Sequence, residues 1–210
     1  MRLQKLLPEY DWVGPPDSGA SAVVCTTADA VYRATQQNYP AENVFFLPSA
    51  EEEPRKLPQG CRPVACSMEQ LIQINRAAAS EGGPLRSVGL RLIPFGYNAD
   101  AGIPVEKLTD VAKLLPSLTD VTVRGCFVRG DLDGLHGKEL GRFFRACYES
   151  AKRMTVILPC AMPYLCVENA LAALSENRLR HPETLEDALT AARIVAMQNR
   201  TAFYARLLIS

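Results

Sequence analysis

The chain has 210 residues, of which 48% are hydrophobic and 22% are charged, and its 23 basic residues balance its 23 acidic ones. A domain of this length buries about 70% of the surface that its unfolded chain exposes, so its stability requires neither disulfides nor a metal. The balanced charge gives no overall attraction to nucleic acid or to anionic membranes, and we expect neither as a partner.

Short strands and helices alternate along most of the chain. Residues 1–20 are rich in proline and glycine and predict an irregular arm. From Ser21 onwards, β-branched runs alternate with segments of helical periodicity, and Ser67 and Gln70 form a capping box that opens one helix. The predicted elements, in chain order, are strand Ser21–Cys25, helix Asp29–Gln37, strand Asn43–Leu47, strand Arg62–Cys66, helix Ser67–Ala79, strand Val88–Ile93, helix Pro104–Leu115, strand Val121–Val128, helix Glu139–Met154 and strand Thr155–Leu158.

The alternation stops after this strand. Cys166–Asn177 and Pro182–Ile209 both predict helices with no strand between them. Apolar residues recur at three- and four-residue steps along the last helix, and such a stripe must be buried. It can cover a flank of its own domain, or it can form a homodimer with Phe203 and Leu207 near the contact. We favour the homodimer because the stripe is longer than one flank.

Strands separated by helices predict an α/β fold with a parallel sheet and right-handed crossovers. We favour a partial or complete β/α barrel over an open doubly wound sheet, because no glycine-rich nucleotide-binding turn follows the first strand. The predicted organisation is an N-terminal arm (1–20), a β/α barrel-like domain (21–165) and a C-terminal helical segment packed on it (166–210).

The sequence carries no pattern typical of export. Met1–Leu7 is charged and lacks the apolar stretch of a signal peptide, and the apolar run Met154–Val167 is shorter than the roughly 20 residues of a membrane span. We therefore expect a cytoplasmic protein in which the seven cysteines are free thiols. Neither the cysteine spacings nor the two histidines form a metal-binding pattern, so we expect no metal site.

Three cysteines are candidate reactive thiols. Cys25, Cys126 and Cys160 lie at or near predicted strand ends, where β/α barrels place their chemistry. The alternative is that each packs in the core. We favour packing, because the sequence assigns no neighbouring histidine as a base.

Three arginines form the candidate ligand-binding group. Arg91 lies within an otherwise apolar strand, and Arg124 and Arg129 lie near the two ends of the next. Guanidinium groups on adjacent strands bind a phosphate or a carboxylate well, so these residues predict a site for a small anionic molecule. Ion pairs with acidic side chains such as Glu106 and Asp110 are an equally weighted alternative.

Five segments carry a resemblance to a known family. They are Ala22–Val31, Glu42–Leu47, Val64–Ser67, Val88–Pro94 with Gly102–Pro104, and Val123–Val128. Their strand, serine and helix units, and the Leu-Arg-x-x-Pro sequence that includes Arg91, resemble the barrel domain of the fold-type III pyridoxal-phosphate (PLP) enzymes. This is the alanine racemase and amino-acid decarboxylase group. The resemblance covers about two thirds of the chain and implies a β/α barrel with PLP as the possible cofactor.

The resemblance also implies parts that the sequence lacks. The family's Schiff-base lysine ends the first barrel strand, and the sequence offers no lysine to match it. Cys126 and Phe127 stand where the family's histidine strand begins, and Pro159–Pro163 replaces its glycine-rich phosphate loop. We also expect no counterpart of the second, all-β domain of alanine racemase.

These departures predict a reduced, non-catalytic alanine racemase-like barrel protein that binds a small anionic ligand or a partner protein, with no cofactor expected. Two alternatives stay open. One is an active PLP-dependent racemase or decarboxylase on a divergent barrel. The other is a structural protein that dimerises through its C-terminal helix.

Overall fold

The computed structural model describes residues 12–14, 22–47, 57–98, 101–131, 138–168 and 207–209, and the structural statements below concern these residues. The helices, apart from short 3-10 turns, are α1 (Ala28–Gln36), α2 (Met68–Glu81), α3 (Leu108–Leu114) and α4 (Lys138–Ile157). The strands are β1 (Trp12–Gly14), β2 (Ala22–Cys25), β3 (Val44–Phe46), β4 (Arg62–Ala65), β5 (Arg86–Ile93), β6 (Ile103–Pro104), β7 (Val121–Asp131), β8 (Met162–Glu168) and β9 (Leu207–Ile209).

The described strands close into a ring. They pair in the order β4-β3-β2-β1-β9-β8-β7-β5, and a further pairing joins β4 to β5. All of these pairings are parallel. Strand β6 pairs with the carboxyl end of β5, beyond the part of β5 that pairs with β4. A closed ring of parallel strands with helices between them is a β/α barrel, so the predicted fold class is confirmed.

Two strands of the ring come from segments in which the sequence predicted no strand. Trp12–Gly14 lies in the predicted arm, and Leu207–Ile209 lies at the end of the predicted C-terminal helix. Strand β9 fills the gap between β1 and β8 and closes the ring. A strand of three residues is too short to show an alternating pattern in the sequence, so the nearby prolines and the helical periodicity dominated the prediction. The stability of such a strand comes from its two neighbouring strands.

The position of β9 changes one part of the dimer prediction, the role of Leu207. Leu207 belongs to β9 and pairs with Trp12 and Leu165, so its placement on a helical dimer contact was wrong. Phe203 and most of Pro182–Ile209 lie outside the described residues. Whether the chain forms a homodimer stays a prediction.

The predicted sixth strand, Thr155–Leu158, was also wrong, because α4 continues to Ile157. The amide of Leu158 donates to the carbonyl oxygen of Met154 at 2.7 Å, and the Thr155 hydroxyl donates to the carbonyl oxygen of Lys152 at 2.8 Å. Met154 and Leu158 are both buried, at a spacing of one helical turn. Burial at helical spacing therefore outweighs the strand propensity of this β-branched run.

The strand lies further along, at Met162–Glu168, so the helix predicted from Cys166 was wrong over its first three residues. Pro163 is tolerated in β8 because this part of the strand pairs only with β7, whereas β9 joins from Leu165 onwards.

The outer face of the sheet packs against the helices. Val88, Leu90 and Leu92 alternate along β5 and share a core cluster with Leu71 of α2 and Phe143 of α4. At the start of α2 the Ser67 hydroxyl accepts from the amide of Gln70 at 3.0 Å, as the predicted capping box requires, and the Gln70 side-chain oxygen accepts from the amide of Cys66 at 2.7 Å. Among the described residues, no helix combines the length and the apolar character needed to cross a membrane.

Aromatic side chains fill part of the inside of the ring. Phe45 of β3 and Phe127 of β7 meet edge to face, with ring centroids 4.7 Å apart, although β4 and β5 separate their strands. Val64 packs with both rings. Gly89 lets Phe127 approach, because a Cβ atom at this position would lie 2.8 Å from the Phe127 ring.

We expect Gly89→Ala to lower the free energy of unfolding by about 1–3 kcal/mol, because the added methyl group overpacks the inside of the ring. Gly83→Ala is the matched control, since a Cβ atom at position 83 would meet nothing within 4 Å. Urea unfolding of both variants measures the difference. Equal stability of the two variants would contradict this description of the barrel interior.

Candidate ligand-binding site

Arg91 lies on the inner face of the barrel wall. It alternates along β5 with Gly89, which faces Phe127 and Val64, and it pairs in register with Phe127. Its side chain is half-buried. Arg91 is also close to the carboxyl end of β5, the end at which β/α barrels bind their ligands.

Arg124 lies closer than Arg91 to the amino-terminal end of the barrel wall. The pairing of β5 with β7 shifts register between Val88 and Gly89, and Arg124 is the unpaired residue of the resulting bulge. Its side chain is exposed. Arg91 pairs three residues further along β7, at Phe127, so the two arginines are about 10 Å apart along the strand direction.

The structure also shows where the third predicted arginine lies, together with the two acidic residues that were alternative partners for the arginines. Arg129 lies in β7 and pairs in register with Cys166 of β8. Asp110, proposed as an alternative partner for the arginines, forms an exposed ion pair with Lys113 at 3.6 Å. Glu106 lies exposed in the 3-10 turn before α3.

The loop after β5 is fixed to α4 close to Arg91, and the sequence did not indicate this. The amide of Phe95 donates to the Ser150 hydroxyl at 3.1 Å, and the Arg153 guanidinium lies 5.7 Å from the centroid of the Phe95 ring. Tyr97 meets Phe143 edge to face, at 5.2 Å between ring centroids. Ser150 is completely buried in α4. A serine on the apolar face of a helix was the signal in the sequence that could have indicated this contact, because a buried hydroxyl group needs a hydrogen-bond partner. These contacts hold the loop in one place beside the carboxyl end of the barrel.

The sequence also missed Arg62, the first residue of β4. Its guanidinium lies 5.5 Å from the centroid of the Phe45 ring, on the inner face of the wall. The sequence could have indicated Arg62, because it is a charged residue next to a proline at the start of an otherwise apolar strand.

Two of the three candidate thiols are packed outside the ring. Cys25 ends β2 and packs with Val31 of α1, and burial raises the pKa of its thiol to about 11 against a smaller opposing effect of Arg33. Cys126 is fully buried between the sheet and the helices, and burial raises its pKa far above the ordinary value. Such thiols are protonated at neutral pH and are therefore poor nucleophiles. Cys160 is exposed in the turn after α4.

Several solved structures have a similar fold. The chain aligns with diaminopimelate decarboxylase from M. jannaschii (TM-score 0.63, 12% identity, 99% of this chain and 55% of that one). It aligns similarly with the arginine decarboxylase of Paramecium bursaria Chlorella virus (0.62, 11%, 99% and 58%) and with alanine racemase from Corynebacterium glutamicum (0.59, 11%, 98% and 56%).

These alignments confirm, at the level of the fold, the resemblance to the racemase and decarboxylase group. The chain spans little more than half the length of these solved structures. No family model matches it, and no curated protein matches its sequence.

Alkylation of the folded protein near pH 8 should modify Cys160 quickly and leave Cys25 and Cys126 unmodified, because these two thiols are buried and protonated. Mass spectrometry of the digested protein identifies the modified residues. The same reaction in denaturant is the control and should modify all three. Rapid modification of Cys25 or Cys126 in the folded protein would show that one of them is a reactive thiol after all.

Proposed function

We propose that the chain is a non-catalytic relative of the PLP barrel enzymes that binds a small anionic ligand near Arg91. The observation that carries the proposal is the absence of a lysine where β1 ends. This strand ends at Gly14 and is followed by Pro15, at the place where the resemblance puts the Schiff-base lysine. Without that amine, the cofactor has no covalent attachment at this strand.

The positions of the lysines give the same support. The lysines among the described residues all lie in helical segments, at positions 107, 113, 138 and 152, and none lies within a strand. The residues at the carboxyl ends of β2, β3, β4 and β5 are Cys25, Phe46, Ala65 and Ile93. This part of the chain therefore does not fit a covalently held PLP.

The inner face of β7 supports the proposal independently. Phe127 lies where the resemblance expects the histidine strand, and its ring is packed against Phe45 and Val64. Neither ring can exchange a proton with a substrate. The described layer of the interior therefore contributes packing and no acid–base group.

Arg91 supports the anionic ligand. A half-buried guanidinium beside an aromatic layer offers paired N–H donors to a carboxylate or a phosphate, and its position near the carboxyl end of β5 is the usual ligand end of a barrel. The neighbouring loop, fixed by Ser150, gives this end a defined wall. A partner protein that presents a carboxylate is an alternative ligand for the same place.

The likeness to solved decarboxylases and a racemase favours one other candidate, an active PLP-dependent enzyme on a divergent barrel. Such an enzyme would need a lysine from elsewhere in the chain. Lys5 and Lys56 are the lysines outside the described residues.

Treatment with PLP and borohydride should leave no stoichiometric pyridoxyl group on any one lysine, because no lysine of the described residues lies at a strand end. Mass spectrometry of the intact and digested protein measures the product. The same treatment in urea is the control and should label several lysines at low yield. A single adduct of one group per chain would establish the enzyme alternative and identify its lysine.

Arg91→Leu should remove anion binding at the carboxyl end and leave the unfolding midpoint unchanged or raised, since an apolar side chain replaces a half-buried charge. The resonance of the Arg91 Nε–H group, followed while inorganic phosphate is added, reports the binding. Arg76→Leu is the control, because it removes the same charge from the exposed face of α2. An Arg91 resonance that does not respond to phosphate contradicts the assignment of the ligand site.

A further inference from the structure

The amino-terminal opening of the barrel contains a cation that the proposed ligand site does not use. Arg62 alternates with Val64 along β4, and Val64 packs inside the ring with Phe45 and Phe127. Arg62 is also paired in register with Phe45, and its guanidinium lies over the Phe45 ring. Arg62 therefore lies on the inner face, at the amino-terminal end of β4.

One N–H group of the Arg62 guanidinium lacks a hydrogen-bond partner. The Nε atom of Arg62 is buried and has no hydrogen-bond partner, and the described residues give the side chain no ion pair. A buried N–H group of a cation that lacks a partner costs more free energy than a neutral one, so native proteins rarely leave one without an anion, a carbonyl group or water.

Arg86 provides a contrast at the same end of the barrel. Its Nε atom is also buried without a partner, but its Nη atoms donate to the carbonyl oxygen of Pro58 and, at 3.4 Å, to the side chain of Gln59. It also forms an ion pair with Glu81 at 3.6 Å. Arg86 is thus held by the protein itself, whereas the described contact of Arg62 is with an aromatic ring.

Other donors lie on the inner face at the level of Arg62. Val64 pairs with Gly89, so Arg62 lies opposite Ser87, two residues earlier on β5. Ser87 pairs with Thr122 of β7, and both residues are half-buried. Two hydroxyl groups and the Arg62 guanidinium on neighbouring strands form a set of donors that suits an anion.

We propose that the amino-terminal opening of the barrel binds a small tetrahedral oxyanion of the phosphate class, with Arg62 as its main ligand. A guanidinium that lies over an aromatic ring can still donate through its edge to two oxygen atoms. Arg62 begins β4, whereas Arg91 lies near the carboxyl end of β5, so the opening is a second site in addition to the ligand site near Arg91.

Titration with inorganic phosphate at constant ionic strength tests the proposal, with the arginine Nε–H resonances of the full chain as the readout. The Arg62 resonance is identified by its loss in Arg62→Met. It should shift with phosphate in the wild type and equally in Arg91→Leu. Arg62→Lys, which keeps the charge and loses the two-pronged N–H edge, should weaken binding at the opening about tenfold, as for the loss of one charge-assisted hydrogen bond.

The outcomes separate this site from the one near Arg91. A phosphate-dependent shift of Arg62 that persists in Arg91→Leu supports the opening site even if the Arg91 resonance never responds. An Arg62 resonance that stays constant up to high phosphate concentrations overturns it, and so does a shift that chloride reproduces equally. Because the main readout uses the wild type, a variant that fails to fold does not affect the result. A parallel titration with glycerol 3-phosphate distinguishes a free ion from a phosphate monoester as the preferred form.

Discussion

Phe45 and Phe127 meet inside the ring of strands, and the arrangement of the described inner face follows from that contact. The rings come from strands that are separated by two others, so they can touch only across a closed or strongly curved sheet. Gly89 makes room for one ring, and Arg62 covers the face of the other. Arg62 pairs in register with Phe45, and Arg91 pairs in register with Phe127.

Ring closure imposes the second constraint. Strand β9 is far from β1 in the sequence, yet it lies beside it and completes the barrel. An open β1 or β8 edge would present unpaired backbone groups that invite association with other chains. Pairing of β9 with β1 and β8 removes these edges, but it requires contacts of long sequence separation, which form slowly during folding. The short strands β1 and β9 therefore protect the described sheet from pairing with other chains.

Local patterns predicted the central part of the chain well. The Ser67 side chain begins a helix as predicted, and strands form at β2, β3, β4, β5 and β7. Pro104, predicted to begin a helix, instead ends the short strand β6, and α3 begins at Leu108. The errors occur where an element depends on distant partners. Trp12–Gly14 and Leu207–Ile209 are strands because each lies between two others, and Thr155–Ile157 is helical because the turn around Met154 is buried.

The candidate site was predictable to a similar extent. A charge in an apolar strand singled out Arg91 as a candidate, because alternation in β5 is a local property. Arg124 could not be placed in the same way, since the bulge that changes its level arises only from pairing with β5. Arg62 went unnoticed because its importance depends on the Phe45 ring, which lies on another strand.

Both proposals describe a barrel that has kept the fold of the PLP enzymes and uses its arginines for binding. The most direct test is exchange of the α-proton of amino acids in heavy water, followed by NMR, with PLP and the protein present together. Alanine, lysine, arginine and diaminopimelate are suitable substrates, given the names of the similar structures. We expect exchange and decarboxylation at the rates of free PLP alone. Exchange or carbon dioxide release that is faster than this, and selective for one enantiomer, would contradict the account and show a working enzyme.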